Sequence, residues 1–155
     1  MVIAMNDNGE RPGAGPQRSA AVSRRQARRD AMVVLYQRDI TGAGLDHLFA
    51  ALEKETGHTP DGFTREEVQG VLAAKDDLDR AIDAASSSWP AHRLAALERN
   101  ILRLAAFEIR TRLDIPAEVT IDEAVVLAKR YCSREAGSLV NGILGKIAQE
   151  ASENG

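Results

Sequence analysis

The sequence predicts an all-helical protein of about seven helices in two packed bundles. The chain of 155 residues is 44% hydrophobic but only 4% aromatic, so its core has to be built mainly from aliphatic side chains. Apolar residues recur at helical spacing along most of the chain, which is typical of amphipathic helices. No stretch alternates apolar and polar residues as a strand would, and no internal repeat competes with the helical pattern.

Proline and glycine positions predict how the chain divides. Residues 1–18 are rich in Gly, Pro and polar residues and are predicted to be a disordered leader. Residues 19–88 are expected to form an N-terminal helical subdomain and residues 89–150 a C-terminal one. The boundary lies at the SSSWP segment, because Pro90 disfavours helix at the residue before it. Residues 151–155 are left as a tail.

The first helix is expected to be rich in arginine. It begins at Ser19 or Ser23, either of which can cap it, and runs to Ile40. Gly42 and Gly44 then end it, because glycine commonly follows the last helical residue.

Two further helices are expected in the N-terminal half. One runs from Leu45 to Glu55, ahead of the helix-breaking run TGHTPDG. The next is predicted to begin at a capping box, in which Thr64 and Glu67 satisfy the first N–H groups, and to continue unbroken to Ala85.

Pro90 can occupy the first turn of a short helix near His92 to Ala95, and three longer helices are expected after it in the C-terminal half. The segment LERNILRLAAFEIRTRL carries apolar residues on more than one face, which predicts a central helix. A capping box of Thr120 and Glu123 is expected to open the next helix. The last runs from about Arg134 to Glu150. Within it, Gly142 costs about 1 kcal/mol relative to Ala, and close contact with another helix would offset that cost.

No pattern typical of catalysis, cofactor binding or metal binding occurs in the sequence. The three histidines lie far apart without metal-site spacing, and no glycine-rich phosphate loop is present. The single cysteine, Cys132, excludes an internal disulfide and indicates a reducing compartment. No run reaches the roughly 18 apolar residues of a spanning helix. We therefore expect a cytoplasmic, non-enzymatic protein with no catalytic residue, metal, cofactor, membrane partner or small-molecule substrate.

Positive charge is concentrated near the N-terminus, although the net charge is −3. Arg24 and Arg28, and likewise Arg25 and Arg29, lie four residues apart, so positive charge is expected to cover a broad face of one helix. Such pairs repel by a few tenths of a kcal/mol, a cost that phosphates of a polyanion would remove. The alternatives are an ordinary solvated face or an acidic protein partner.

Two further polar residues are candidates for ligand contact. Tyr36 follows the arginines by two to three turns and can stack on an unpaired base or lie half-buried in the core. Asn141 lies beside the apolar stripe of the last helix, where its amide either bonds to nearby backbone or faces a ligand.

Four segments, in this order, resemble the NusB family: RRQARRDAMVVLYQ, ERNILRLAAFEI, IPAEVTIDEAVVLAKRY and SLVNGILGKI. The resemblance covers about residues 23–148. It implies a NusB-like fold of two helical bundles and a role as an RNA-binding transcription antitermination factor. In that family NusB binds boxA RNA of nascent ribosomal RNA transcripts together with NusE, a small-subunit ribosomal protein. These partners belong to the RNA polymerase antitermination complex.

The resemblance also implies residue roles in RNA binding. Arg24, Arg25, Arg28 and Tyr36 match the family's arginine-rich helix and its tyrosine, which are implicated in RNA contact. Arg29 extends that charge. RNA contact is therefore expected along the first helix.

Other matched positions concern the partner and a second RNA-proximal region. Glu98 matches a family acid at the NusE-facing surface, and the segment that ends at Asn141 matches the other RNA-proximal part. Leu139 stands where some members have an aromatic residue, so no base stacking is expected there. The domain also occurs fused to a ribosomal RNA methyltransferase, but a chain ending at Gly155 leaves no room for a cofactor-binding domain.

The main alternative is a helical adaptor that binds no RNA and contacts a protein partner through its acidic C-terminal half. The salt dependence of RNA binding distinguishes these two functions.

Overall fold

Seven helices account for almost all of the chain that the computed structural model describes, which is residues 22–86 and 93–154. No strand occurs in these two ranges, so the predicted all-helical class is confirmed. In chain order the helices are α1 (Arg24–Thr41), α2 (Leu45–Thr56), α3 (Gly62–Ala73), α4 (Lys75–Ala85), α5 (Ala96–Thr111), α6 (Ala117–Tyr131) and α7 (Arg134–Asn154). The predicted leader and most of the SSSWP joint lie outside the described residues, as does His92, where a short helix is predicted to begin.

Both ends of α1 follow from local chemistry. Ser23 has extended backbone, and its hydroxyl accepts a hydrogen bond from the Gln26 N–H at 2.9 Å, so Ser23 is the N-cap of α1. At the other end Gly42 adopts a left-handed φ of 72° and donates its N–H to the Arg38 carbonyl. This conformation favours glycine, which explains why the helix stops there.

The capping box predicted at Thr64 is wrong. Helix α3 begins earlier, where the Asp61 carboxylate accepts a hydrogen bond from the Phe63 N–H at 2.9 Å. Thr64 lies within the helix and is fully buried, and its hydroxyl donates to the Ala27 carbonyl on α1. Glu67 is buried as well, so both residues make tertiary contacts instead of capping a helix.

The prediction of one unbroken helix to Ala85 is also wrong. The chain leaves helical geometry at Ala74, whose N–H is shared between the carbonyls of Gly70 and Val71. Val71 and Leu78 are both buried on either side of this break. The apolar spacing of the sequence therefore continues across the break at Ala74 and does not predict it.

The capping box predicted at Thr120 fails for a similar reason. Helix α6 begins directly after Pro116, whose fixed φ suits a helix start. Thr120 is 1% exposed and donates its hydroxyl to Glu108 on α5 at 3.1 Å. Glu123 reaches across to Arg25 on α1.

Helix α5 is central, as predicted. It packs against α1, α3, α4, α6 and α7, and Leu102 and Ala106 on it are fully buried. One connected apolar cluster extends through the described helices. The division into subdomains 19–88 and 89–150 stays a prediction. None of the described helices is both long and apolar enough to cross a membrane.

The expected close contact at Gly142 is not found. A Cβ atom added at Gly142 would meet no other atom within 4 Å, and this residue is exposed. The glycine of α7 that requires its small size is Gly137, where a Cβ would lie 2.6 Å from the Lys129 side chain on α6. The Lys129 side chain therefore lies directly against Gly137 and would have to move if this residue carried a Cβ.

Candidate nucleic-acid interface

Side chains of α1 and α6 enclose a shallow groove of about 200 Å³, here called the α1–α6 groove. Val126 and Leu127 supply its apolar surface. Its basic and aromatic lining residues are Arg25, Arg28, Arg29, Arg130 and Tyr131. The groove thus combines positive charge with an aromatic ring, a combination by which proteins bind single-stranded nucleic acids.

Arg25 lies on the rim of this groove and pairs with an acid on α6. Its side chain is 65% exposed, and its Nε and Nη2 atoms donate to the two carboxylate oxygens of Glu123, each at 2.9 Å. The hydrogen bonds from Arg25 lower the pKa of Glu123, its positive charge acts in the same direction, and partial burial opposes both. Glu123 is therefore charged at neutral pH.

Arg29 is held at the groove edge by two partners. Its Nε donates to the hydroxyl of Tyr131 at 3.2 Å, and its Nη1 donates to the buried Asp30 carboxylate at 3.2 Å. The Arg29 side chain remains 32% exposed, and Tyr131 is 36% exposed with the guanidinium of Arg130 above its ring. Charge and ring are therefore both accessible at one place.

Arg24 extends the basic surface on the other side of Arg25. Its guanidinium lies 4.0 Å from the centre of the Phe63 ring, a cation–π contact. Together with Arg25 it borders a second groove, of about 330 Å³, against the loop between α5 and α6. Ile115 and Val119 give this α1–loop groove its apolar wall. The basic surface thus continues across two adjoining grooves.

Arg28 does not share this exposure. Its side chain is 6% exposed, and its Nε and Nη2 donate to both carboxylate oxygens of Glu108 on α5, each at 2.8 Å. Glu108 is itself 1% exposed. The basic face expected on α1 therefore does not include the guanidinium of Arg28, because this group pairs with a buried acid on the central helix. A role of Arg28 in RNA contact stays a prediction.

A second buried acid lies beside this pair. Glu67 on α3 is fully buried and accepts a hydrogen bond from the Nε of Arg112 at 3.0 Å. Burial raises the pKa of Glu67 to about 9, with the neighbouring Glu108 acting in the same direction and Arg112 opposing it. Burial therefore favours the neutral, protonated form of Glu67.

The remaining predicted site residues lie outside the two grooves. Tyr36 is 37% exposed and lies about three turns along α1 from Arg25. Asn141 is exposed on α7. Glu98 is half-buried at the start of α5, where its carboxylate accepts a hydrogen bond from the Ala95 N–H at 3.3 Å. Their roles in RNA or partner contact stay predictions.

Sequence reasoning missed Arg130, Tyr131 and Glu123 as parts of the site. The KRY run at the end of α6 carried a signal, since basic residues beside a tyrosine are typical of nucleic-acid contacts. Their proximity to α1 had no such signal, because Arg29 and Tyr131 are 102 positions apart in the sequence.

These features define the class: an all-helical protein with arginine-lined surface grooves suited to a polyanion. In the portion of the chain that is described, no group of three or more His, Cys, Asp or Glu residues is placed to hold a metal ion. The model of the NusB family matches residues 25–149, and the chain belongs to this family. The resemblance noted in the sequence is thereby confirmed.

Several relatives share most of their length with this chain. The "Transcription antitermination protein NusB" of Desulfitobacterium hafniense (strain DSM 10664 / DCB-2) is 41% identical over 137 residues, which cover 85% of this chain and 92% of that protein. The protein of the same name from Rubrobacter xylanophilus is 40% identical over 123 residues, covering 79% and 88%. The family is one of transcription antitermination factors and is not a known enzyme family.

Solved structures agree with this assignment. A structure of T. maritima NusB superposes with a TM-score of 0.74 and 33% identity, covering 84% of this chain and 97% of that one. A structure of antitermination factors NusB and NusE in complex with dsRNA superposes with a TM-score of 0.73 and 27% identity, covering 82% and 96%. The fold of this chain is therefore the NusB fold.

Proposed function

We propose that this chain is a non-enzymatic transcription antitermination factor that binds RNA through the exposed arginines of α1 and the groove they form with α6. The observation that carries the proposal is the position of Arg25, Arg29 and Arg130 around the accessible ring of Tyr131. The RNA is boxA of nascent ribosomal RNA transcripts, and binding occurs together with NusE in the RNA polymerase antitermination complex. The names of the relatives and the similar complex of NusB, NusE and dsRNA support this assignment.

Phosphate contacts supply most of the affinity in this proposal. Arg24 and Arg25 are exposed on α1 and Arg29 is partly exposed, and each phosphate that they contact releases counterions. A base can stack on the partly exposed ring of Tyr131. Arg28 is left out of the contact surface because its guanidinium is buried against Glu108.

The partner and the outer RNA contacts are assigned to residues beyond the grooves. Glu98, half-buried at the start of α5, faces NusE in this proposal. Tyr36 and Asn141 are exposed on α1 and α7 and provide further RNA contacts outside the grooves. The RNA thus extends beyond the arginine-lined surface.

A binding experiment with a matched charge control tests the proposal. We expect the triple variant Arg24→Ala, Arg25→Ala, Arg29→Ala to lose more than about tenfold in affinity for labelled boxA-type RNA at physiological salt, because three phosphate contacts are removed. The control removes three other basic side chains, Lys54, Lys75 and Arg80, none of which lines either groove. Its affinity should stay within about twofold of wild type, since distant exposed charges are screened.

The same titration is repeated with NusE present and with a scrambled RNA and a duplex of the boxA sequence. Tighter binding of boxA RNA when NusE is present agrees with the proposal. Binding of NusE without any measurable RNA binding, in single-stranded or duplex form, would instead indicate the protein-binding adaptor.

A further inference from the structure

The ion pair between Arg25 and Glu123 occupies an arginine that the proposed RNA surface needs. Both Nε and Nη2 of Arg25 donate to the Glu123 carboxylate, so two of its nitrogens are already engaged. This two-point geometry is the one in which guanidinium groups also bind phosphate oxygens. A backbone phosphate that bound the Nε and Nη2 edge of Arg25 would therefore lie where the Glu123 carboxylate lies.

Glu123 lies where the two basic grooves adjoin, so a phosphate that binds between them comes close to its carboxylate. The residue lines the α1–α6 groove and the α1–loop groove, and its side chain is 18% exposed at the point where they meet. Arg25 and Arg28 are the basic residues whose charges lower its pKa, and Arg28 is already paired with Glu108. An RNA strand that crosses from one groove to the other passes over this carboxylate.

We propose that Glu123 is a competitor for phosphate built into the RNA-binding surface, and that RNA must displace it from Arg25. An ion pair with one largely exposed partner contributes little to stability, so the exchange is feasible. Loss of the pair between Arg25 and Glu123 nevertheless offsets part of the free energy that the phosphate contact contributes. Glu123 thereby lowers the affinity for any RNA backbone and leaves discrimination to base contacts and to the partner protein.

This inference rests on the proposed function and adds to it a residue that lowers the affinity for the RNA backbone. Removal of the Glu123 charge should strengthen binding of every RNA, because phosphate contacts carry no sequence information. A scrambled RNA should gain at least as much affinity as boxA RNA. The ratio of the two affinities should therefore not rise.

The test compares Glu123→Gln with Asp122→Asn in the full-length protein. Gln keeps the side-chain length and one oxygen that can accept from Arg25, whereas Asp122 is an exposed neighbour that lines neither groove. We expect Glu123→Gln to bind RNA about two- to fivefold more tightly, the range that exposed ion pairs span. Asp122→Asn, with the same change in net charge, should give a clearly smaller gain.

A third variant shows whether the effect passes through Arg25. In the background of Arg25→Ala, the additional change Glu123→Gln should give little further gain in RNA affinity, since the contact between Arg25 and phosphate is already absent. An equal gain in that background would overturn the inference, because the effect would then be one of general charge. Unchanged or weaker RNA binding by Glu123→Gln would also overturn it.

The outcomes for this inference and for the proposed function are distinguishable. If wild type binds RNA and the Arg24, Arg25, Arg29 variant loses binding, the proposed function stands whatever Glu123→Gln does. If neither wild type nor Glu123→Gln binds RNA with or without NusE, the proposed function fails and this inference fails with it.

Discussion

Replacement of Arg28 by Ala is expected to lower the free energy of unfolding by about 3–5 kcal/mol, the usual effect of removing one partner from a buried ion pair. The pair with Glu108 has side-chain exposures of only 6% and 1%, so removal of the guanidinium leaves the buried carboxylate without its charged partner. Glu108 would keep the hydrogen bond from Thr120 but lose two from Arg28. Urea denaturation followed by circular dichroism measures the change.

Arg25→Ala is the matched control, because it removes an arginine from the same helix with the same two-point pairing but in an exposed setting. Its effect on the free energy of unfolding should be below about 1 kcal/mol. If Arg28→Ala is as stable as Arg25→Ala and loses RNA binding, Arg28 is an RNA contact and the structural role assigned to it is wrong. For this reason Arg28 is not changed in the triple variant of Arg24, Arg25 and Arg29 that tests RNA binding.

Glu67 is expected to make the stability of the protein depend on pH. Its pKa in the folded protein is about 9, above the ordinary value of 4.5 that applies to the unfolded chain. The folded state therefore binds the proton of Glu67 more strongly than the unfolded chain does. The stabilisation of the folded state by this proton is complete below pH 4.5 and is lost as pH rises towards 9. One such proton gives a slope of up to about 1.4 kcal/mol for each unit of pH.

Glu67→Gln removes this titration while it keeps the shape of the neutral side chain. The variant should match wild type near pH 5 and exceed it in stability at pH 8.5, measured by urea denaturation across that range. Glu66→Gln is the control, since Glu66 also pairs with Arg112 but its side chain is 67% exposed. If the free energies of unfolding of wild type and Glu67→Gln change equally with pH, Glu67 is not the group that binds this proton in the folded protein.

Much of the fold was predictable because local signals and apolar spacing agree. Ser23 and Gly42 end α1 by the backbone chemistry that their residue types favour. The capping boxes at Thr64 and Thr120 failed because the same residue spacing also arises inside a helix. Both threonine hydroxyls donate to other helices, and such long-range partners leave no mark on local sequence.

The site was only partly predictable for the same reason. The sequence showed the positive charge of α1, but not which arginines face solvent. Arg28 turns inward to an acid 80 positions away, and Arg25 pairs with an acid 98 positions away. Four-residue spacing places side chains on one face of a helix, but burial and pairing depend on the neighbouring helices. The division between RNA contact and core support therefore required the tertiary structure.

The most direct test of the RNA-binding surface is the salt dependence of RNA affinity. Each phosphate contact to a single strand contributes about 0.7 to the slope of log affinity against log salt concentration. The triple variant of Arg24, Arg25 and Arg29 should therefore show a slope smaller in magnitude than that of wild type by about 2. Parallel slopes would mean that these arginines do not contact phosphate, and the assignment of the RNA surface to α1 and α6 would be wrong.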